Sequence, residues 1–440
     1  MAVQVSAIGI LAAGSMPLPD YPDGNRRVVE SLDSLAISAP RTRSVRQRDR
    51  TDYGEIGVNG QCGSNVTRIA VRATPVSGYT GTGTGWQVID DAPVNGTFAG
   101  KLRLKGGWYD LNFIAYTGTG RVIVATGMVA RVGVGEVFVT AGQSNSANYG
   151  EPGLKAADDR ISSCDLTGNW SHAVSPLPVA SGNGGSPWPP FGDELARLLD
   201  VPVGVISLGV GSTQVSQWVP GAAYYNRIRD ALQLLGTNGC RAVLWHQGES
   251  DGSSGTLASD YAQRLQSIIT QSRLDAGFAV PWGVAIASWL PDTSDASALQ
   301  VQAGQWMVIS NTPGVFKGAE TDSFHLMGYL YDGIHFNTNG LKAHGAQWAE
   351  IVRRYAFPKP QSPVLVSIAA ADSNAFNVSW NVETNLTCEL QYAANLADTP
   401  LLWTSVGDWI FTSNNSQTVL GAAAGQPAGF YRIVFPHTDY

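Results

Sequence analysis

At 440 residues the chain is long for one domain and comfortable for two or three. Only 14% of residues are charged, against ~25% in an average globular protein, and aromatics reach 9%, which excludes a disordered composition. The net charge of −7 argues against nucleic acid as the main partner, and no run approaches the ~18 apolar residues of a membrane span.

Residues 1–43 carry Pro and Gly without a sustained period and read as an irregular lead-in. Within them, 7–13 is apolar but short and follows no Lys or Arg, so it makes a poor secretion signal. The basic run Arg41, Arg43, Arg46, Arg48 and Arg50 reads as a solvated strand or linker, with a functional basic patch as the alternative. From 44 to 132 short alternating runs (66–72, 85–89, 101–104 and 110–116) are separated by Gly-rich turns. Regular strands without helices predict a small, immunoglobulin-like β-sandwich.

The character changes near Gly135. The runs 137–140, 203–208, 242–245 and 283–287 are almost continuously apolar, as strands covered on both faces should be. Between them 191–199, 225–235 and 257–269 show helical spacing, and a last helix is predicted over 340–355. Strands alternating with helices predict a parallel sheet with crossover connections over 133–357. A Pro-rich linker follows at 358–363, and 364–440 returns to strand character of the fibronectin type III or immunoglobulin-like kind. There Trp380, Trp403, Trp409 and Tyr431 are either sandwich core or a sugar-stacking platform. The four cysteines, Cys62, Cys164, Cys240 and Cys388, show no metal-ligand spacing. Buried free thiols are expected, with Cys164–Cys240 the one pair that invites a bridge.

Chemistry concentrates in three places. Ser144 lies where the strand 137–140 gives way to a turn, at the edge where open α/β sheets bind ligands. The elbow Gly-x-Ser-x-Gly is not present, because its last position is Ser146. Downstream are two Asp-x-x-His segments, Asp322 to His325 and Asp332 to His335; this offset lets the carboxylate reach the imidazole. Between Ser144 and these segments lies His246-Gln-Gly-Glu-Ser-Asp251. A serine, a histidine and an aspartate in this order form one workable order for nucleophilic ester hydrolysis.

Four blocks, Gly142-Gln-Ser-Asn145, Gly211-Ser-Thr213 leading to Trp218, His246-Gln-Gly-Glu-Ser-Asp251 and Asp332-Gly-Ile-His-Phe336, resemble those of SGNH (GDSL-type) hydrolases. The branch is that of sialate O-acetylesterases and the acetylxylan esterases of carbohydrate esterase family 6. The resemblance implies a three-layer α/β/α, flavodoxin-like catalytic domain flanked by N- and C-terminal β-sandwich modules. It implies Ser144 as nucleophile, His335 as general base and Asp332 as its orienting acid, and favours the second Asp-x-x-His segment because 336–340 and a helix follow it. The implied oxyanion donors are the N–H groups of Ser144 and Gly211 and the side-chain amide of Gln247, with Gln143 and Glu249 in support. Glu249 is either part of the active-site network or a structural ion pair or turn cap; His246 is either packed or a second base or metal ligand. The implied activity is removal of acetyl groups from an acetylated xylan or sialic acid, with no cofactor, no metal, no nucleic acid and no membrane. A secreted or periplasmic location is expected, any signal peptide being absent from the chain. The rivals are a lipase or thioesterase acting on longer acyl chains, and a glycan-binding or tail-type protein with secondary esterase activity.

Overall fold

The fold was obtained as a computed structural model that describes residues 35–118 and 122–356, and the backbone of seven further strands between Val364 and Val434. The remaining lead-in, the linker 358–363, Trp403 and Trp409, and the side chains of Trp380 and Tyr431 lie outside the described residues.

Eight strands come first: β1 (Leu35–Ala39), β2 (Val45–Gln47), β3 (Tyr53–Cys62), β4 (Val66–Pro75), β5 (Gln87–Asp90), β6 (Thr97–Lys105), β7 (Gly107–Thr117) and β8 (Val122–Gly142). β1, β3 and β6 form one antiparallel sheet, while β5, β4, β7 and the first half of β8 pair antiparallel in another. Alternate residues of each, Ile56, Val58, Leu102 and Leu104 against Ile69, Val71, Leu111 and Phe113, fill one apolar cluster. β1 falls inside the stretch expected to be irregular; its five residues alternate half-buried and exposed, too short a period to stand out.

β8 then continues without interruption into a different sheet. Its first half pairs with β7, and residues 136–142 pair in parallel on both sides, so one strand runs through the border expected at 132/133. After it come β9 (Ile161–Cys164), β10 (Trp170–His172), α1 (Trp188–Leu199), β11 (Val203–Ser207), α2 (Tyr225–Leu235), β12 (Ala242–His246), α3 (Glu249–Ser253), α4 (Ala258–Ala276), β13 (Trp282–Ile286), α5 (Asp295–Asn311), β14 (Val315–Glu320) and α6 (Thr338–Ala356). The strand order is β10-β9-β11-β8-β12-β13-β14, parallel except for β10 at the edge.

The side-chain alternation of a strand divides the core. Val137, Val139 and Ala141 of β8 join α2, α4 and α5 in one cluster, and Phe138 joins α1 and α6 in another. Cys62, Cys164 and Cys240 are buried and unbridged. Burial pushes the Cys164 and Cys240 thiols up to about 12, so both remain protonated. Part of the basic run is not solvated: Arg43 pairs with Asp159, and buried Arg48 pairs with Asp52 and Glu136, while Arg46 and Arg50 are exposed.

Past the linker, β15 (Val364–Asp372), β16 (Ala375–Asn381) and β20 (Ser416–Ala422) form one antiparallel sheet. β17 (Thr387–Ala393) pairs antiparallel with β18 (Thr404–Ser405), β19 (Ile410–Phe411) and β21 (Phe430–Val434) in another.

Candidate active site

Gly142 closes β8 opposite His246 of β12, and the two backbones approach so closely that a Cβ on Gly142 would lie 1.9 Å from the His246 carbonyl oxygen. Its φ of +136° is open only to glycine in practice. The chain then turns into a single 3-10 turn, Ser144–Ser146, closed by Ser146 N–H to Gln143 O and Ala147 N–H to Ser144 O. Ser146, where an elbow glycine would stand, donates its hydroxyl to Ala141 O at 3.1 Å and so locks the turn onto the strand. Ser144 is the first residue of that turn, and its N–H therefore has no intrahelical acceptor.

Asp332 and His335 share a turn closed by Tyr331 N–H to His335 O at 2.9 Å. Asp332 Oδ1 accepts from Ile334 N–H and His335 N–H, and Oδ2 meets His335 Nδ1 at 2.7 Å. Burial raises the Asp332 carboxyl, but these bonds from His335 and Ile334 outweigh it and hold the group below the usual carboxylate range. A carboxylate at Nδ1 puts the proton there and leaves Nε2 as the basic nitrogen.

Asn145 joins the blocks. Its Nδ2 donates to Glu249 Oε1 at 3.2 Å and to Ile334 O at 3.3 Å, tying the residue after Ser144 to the residue before His335. Among the described residues Ser144 Oγ and His335 Nε2 share no hydrogen bond; such bonds are often long before substrate tightens them. Glu249 is buried, and burial pushes its carboxyl up to about 7 despite the bond from Asn145. It braces Asn145, and neither His335 nor Gln247 is among its hydrogen-bond partners in the described residues. His246 is fully buried, bonded through Nε2 to Thr321 Oγ1 at 2.9 Å, and burial pushes it down to about 3, so it stays neutral.

Gln247 departs from expectation. It is fully buried, its Nε2 donates to Asp251 Oδ2 (2.6 Å), Thr213 O (3.0 Å) and Gln143 Oε1 (3.3 Å), and its Oε1 accepts from Tyr261. An amide so enclosed has no donor left for an oxyanion. Gln143 is arranged the other way. Its Oε1 accepts from Ser250 N–H, Gly248 N–H and Gln247, which fixes the amide orientation, and its Nε2 has no acceptor among the described residues. The sequence contained Gln143 but not the bonds that distinguish the two glutamines. Gly211 N–H donates to Ser181 Oγ at 2.8 Å.

The first Asp-x-x-His segment has another architecture. The Asp322 carboxylate is bound by Ser288, Trp289 N–H and Gln302, and His325 Nδ1 faces the Asp322 carbonyl while its ring stacks on Trp289 at 4.0 Å. Two residues that sequence reasoning passed over stand beside His335. The Tyr149 ring stacks on it at 5.4 Å and that of Tyr331 lies 6.4 Å away. No group of three or more His, Cys, Asp or Glu able to hold a metal occurs among the described residues, and no helix there is long and apolar enough to cross a membrane.

An acid-oriented imidazole near a serine at a sheet edge suits acyl transfer, and the protein is a carboxylic ester hydrolase. It belongs to the family described as carbohydrate esterase, sialic acid-specific acetylesterase, whose profile matches residues 134–354. No curated protein matches the chain. Among solved structures, a carbohydrate acetylesterase from Xanthomonas citri is 16% identical, with 92% of this chain and 94% of that one covered at a TM-score of 0.49. A protein from Arabidopsis thaliana is 19% identical, covering 49% of this chain and 97% of that one at 0.41. The psychrotrophic esterase EstA from Pseudoalteromonas sp. is 10% identical, covering 50% and 98% at 0.34. Likenesses this distant add no weight to the family assignment.

Proposed function

We propose that this hydrolase is a serine carbohydrate O-acetylesterase that works through an acyl-enzyme. In this reading a three-layer α/β/α domain of SGNH type carries the site between two β-sandwich modules. The observation that supports it most is the 2.7 Å contact of Asp332 Oδ2 with His335 Nδ1, on a turn that Asn145 ties to Ser144. His335 Nε2 takes the Ser144 proton as Oγ bonds to the acetyl carbon and the carbonyl electron pair moves onto oxygen. Collapse breaks the bond to the sugar oxygen, which leaves with the proton from His335. Water then gives a proton to His335 and attacks the acetyl carbon; collapse breaks the bond to Ser144 Oγ, which takes the proton back from His335 as acetate is released.

The negative oxygen needs preorganised donors, each worth ~3–4 kcal/mol. We assign them to the N–H of Ser144 and, in place of Gln247, to Nε2 of Gln143; the single Gly211 N–H is already given to Ser181 Oγ. Between the two glycans that the sequence resemblance allows, the charges favour an uncharged sugar of the xylan type. The Asp332 carboxylate stands 2.7 Å from His335 Nδ1, and the like charge of a sialic acid carboxylate brought beside it is disfavoured. Ser144→Ala should abolish acetate release from p-nitrophenyl acetate and from acetylated glycans, with a native circular dichroism spectrum. An acid-quenched wild-type digest should carry an acetyl group on the Ser144 peptide. Retained turnover in the variant, or an acetyl adduct elsewhere, would sink the reading.

A further inference from the structure

Tyr149 touches His335 on one side and the loop of Gly211 on the other. One face of its ring lies against the His335 imidazole, with centroids 5.4 Å apart and planes 24° from parallel. Its hydroxyl accepts from Ser181 Oγ at 3.3 Å, and Ser181 Oγ accepts in turn from Gly211 N–H at 2.8 Å. Gly211 packs so closely on the phenol that a Cβ there would lie 2.5 Å from Tyr149 Oη. The Tyr149 carbonyl accepts from the Tyr331 hydroxyl at 3.2 Å, which fastens the turn of Asp332 to the same residue.

An imidazole has a flat face and a rotatable Cβ–Cγ bond. Asp332 fixes Nδ1, but one hydrogen bond leaves the ring free to swing about it. A near-parallel aromatic neighbour removes that freedom, and offset-stacked rings attract beyond the area they bury. The hydroxyl does something separate. Through Ser181, whose Oγ takes the Gly211 N–H, it holds the Gly211 loop against the ring. We propose that Tyr149 is a positioning residue that keeps the general base and the Gly211 loop in register, its ring acting on His335 and its hydroxyl acting through Ser181 on that loop. The proposal rests on the serine esterase reading given above.

The alternative is that Tyr149 merely walls the substrate pocket, and steady-state kinetics on p-nitrophenyl acetate separates the two. Tyr149→Leu, which loses the ring, should lower kcat by roughly tenfold or more and change KM by less than about threefold, because orientation acts on the reacting geometry. Tyr149→Phe, which keeps the ring, should recover all but about threefold of kcat. Ser181→Ala cuts the same chain as Tyr149→Phe, so the double variant should be no worse than the poorer single one. A Leu variant with normal kcat and raised KM would overturn the proposal, as would a Phe variant as poor as Leu or strictly additive losses in the double variant. If Tyr149→Leu does not fold by thermal melting, the Phe and Ser181 arms decide. Failure of the esterase reading itself would show separately, as Ser144→Ala turning over p-nitrophenyl acetate like the wild type.

Discussion

Gln143 receives two backbone N–H groups on its Oε1, whereas Gln247 surrounds its whole amide with partners. Gln143→Glu separates donation from bracing, because it keeps the acceptor oxygen and replaces the amide nitrogen by oxygen. It should fold normally and lose about 100-fold or more in kcat on p-nitrophenyl acetate, the usual effect of removing one oxyanion donor. Gln247→Ala should instead lower the melting temperature, since it leaves Asp251 and Tyr261 short of buried partners. A strong kcat loss confined to Gln247→Ala would return the donor role to that residue. Glu249 sets a second expectation at this scale. Its carboxyl is pushed from 4.5 up to about 7 by burial, so the native state holds its proton where the unfolded chain has lost it. The sign follows from linkage: stability contributed by the neutral form is complete below about 4.5 and is lost as pH rises to about 7. Glu249→Gln cannot titrate and can still accept from Asn145. Its stability relative to wild type should therefore grow between those two pH values, by up to about 3 kcal/mol. Urea denaturation at pH 4.5 and pH 8 measures this directly; a difference independent of pH would refute the buried titration.

Elements were legible where residues with continuous apolar character had only one place to go, as in β11, β12 and β13. They were hidden where glycine interrupted the pattern. β3 alternates buried and exposed along its length, yet Gly54, Gly57 and Gly60 mask the alternation; a Cβ on Gly60 would lie 2.1 Å from Ala36 O, so glycine there is a packing requirement. Gly133 and Gly135 gave the impression of a break before the sheet. In the fold they admit Trp108 and Pro202 against an unbroken β8, where a Cβ would lie 2.9 Å from Trp108 and 2.0 Å from Pro202 O. Of the site, motif order singled out Ser144, Asp332 and His335, while the bonds and ring contacts of Asn145, Tyr149 and Tyr331 came only with the fold, since contacts across 100 residues or more leave no local signature. β8 also carries a buried charge cluster. Glu136, wholly buried, accepts from Arg48 and Arg241 at 2.6 Å each and from Gln47 at 3.0 Å, fastening β2 and the start of β12 to this strand. Burial would raise the Glu136 carboxyl, but Arg241 and Arg48 hold it below its ordinary value. Glu136→Gln weakens two buried ion pairs at once and should cost about 3–5 kcal/mol in urea denaturation. The site lies at the other end of the strand, roughly 20 Å away at ~3.3 Å per residue, so kcat at low temperature should remain near normal.

Over the whole molecule the charges bear on what approaches the site. The chain carries −7 overall, and Asp332, with Glu151 near Tyr331, adds negative charge beside His335. Arg227, on α2, directs Nη1 to the carbonyls of Val179 and Leu208 and lies over the Tyr224 ring. A cleft of one sign raises the local concentration of uncharged or opposite-charged ligands relative to like-charged ones. Exposed Tyr331, 46% accessible, presents an aromatic surface within reach of His335. A sugar ring can lie on such a surface with its C–H bonds, whether or not it carries charge, so the discrimination falls to the carboxylates. The expected outcome is a higher kcat/KM for acetylated xylan oligomers than for O-acetylated sialic acid, with acetate release followed by a coupled assay. The gap should narrow as salt rises from 10 mM to 1 M, where the Debye length falls from about 30 Å to about 3 Å. Glu151→Gln should narrow it as well, by raising the rate on the anionic sugar while leaving the neutral one near its original value. Faster deacetylation of the sialic acid at low salt would mean that the surrounding charge does not set the choice of glycan.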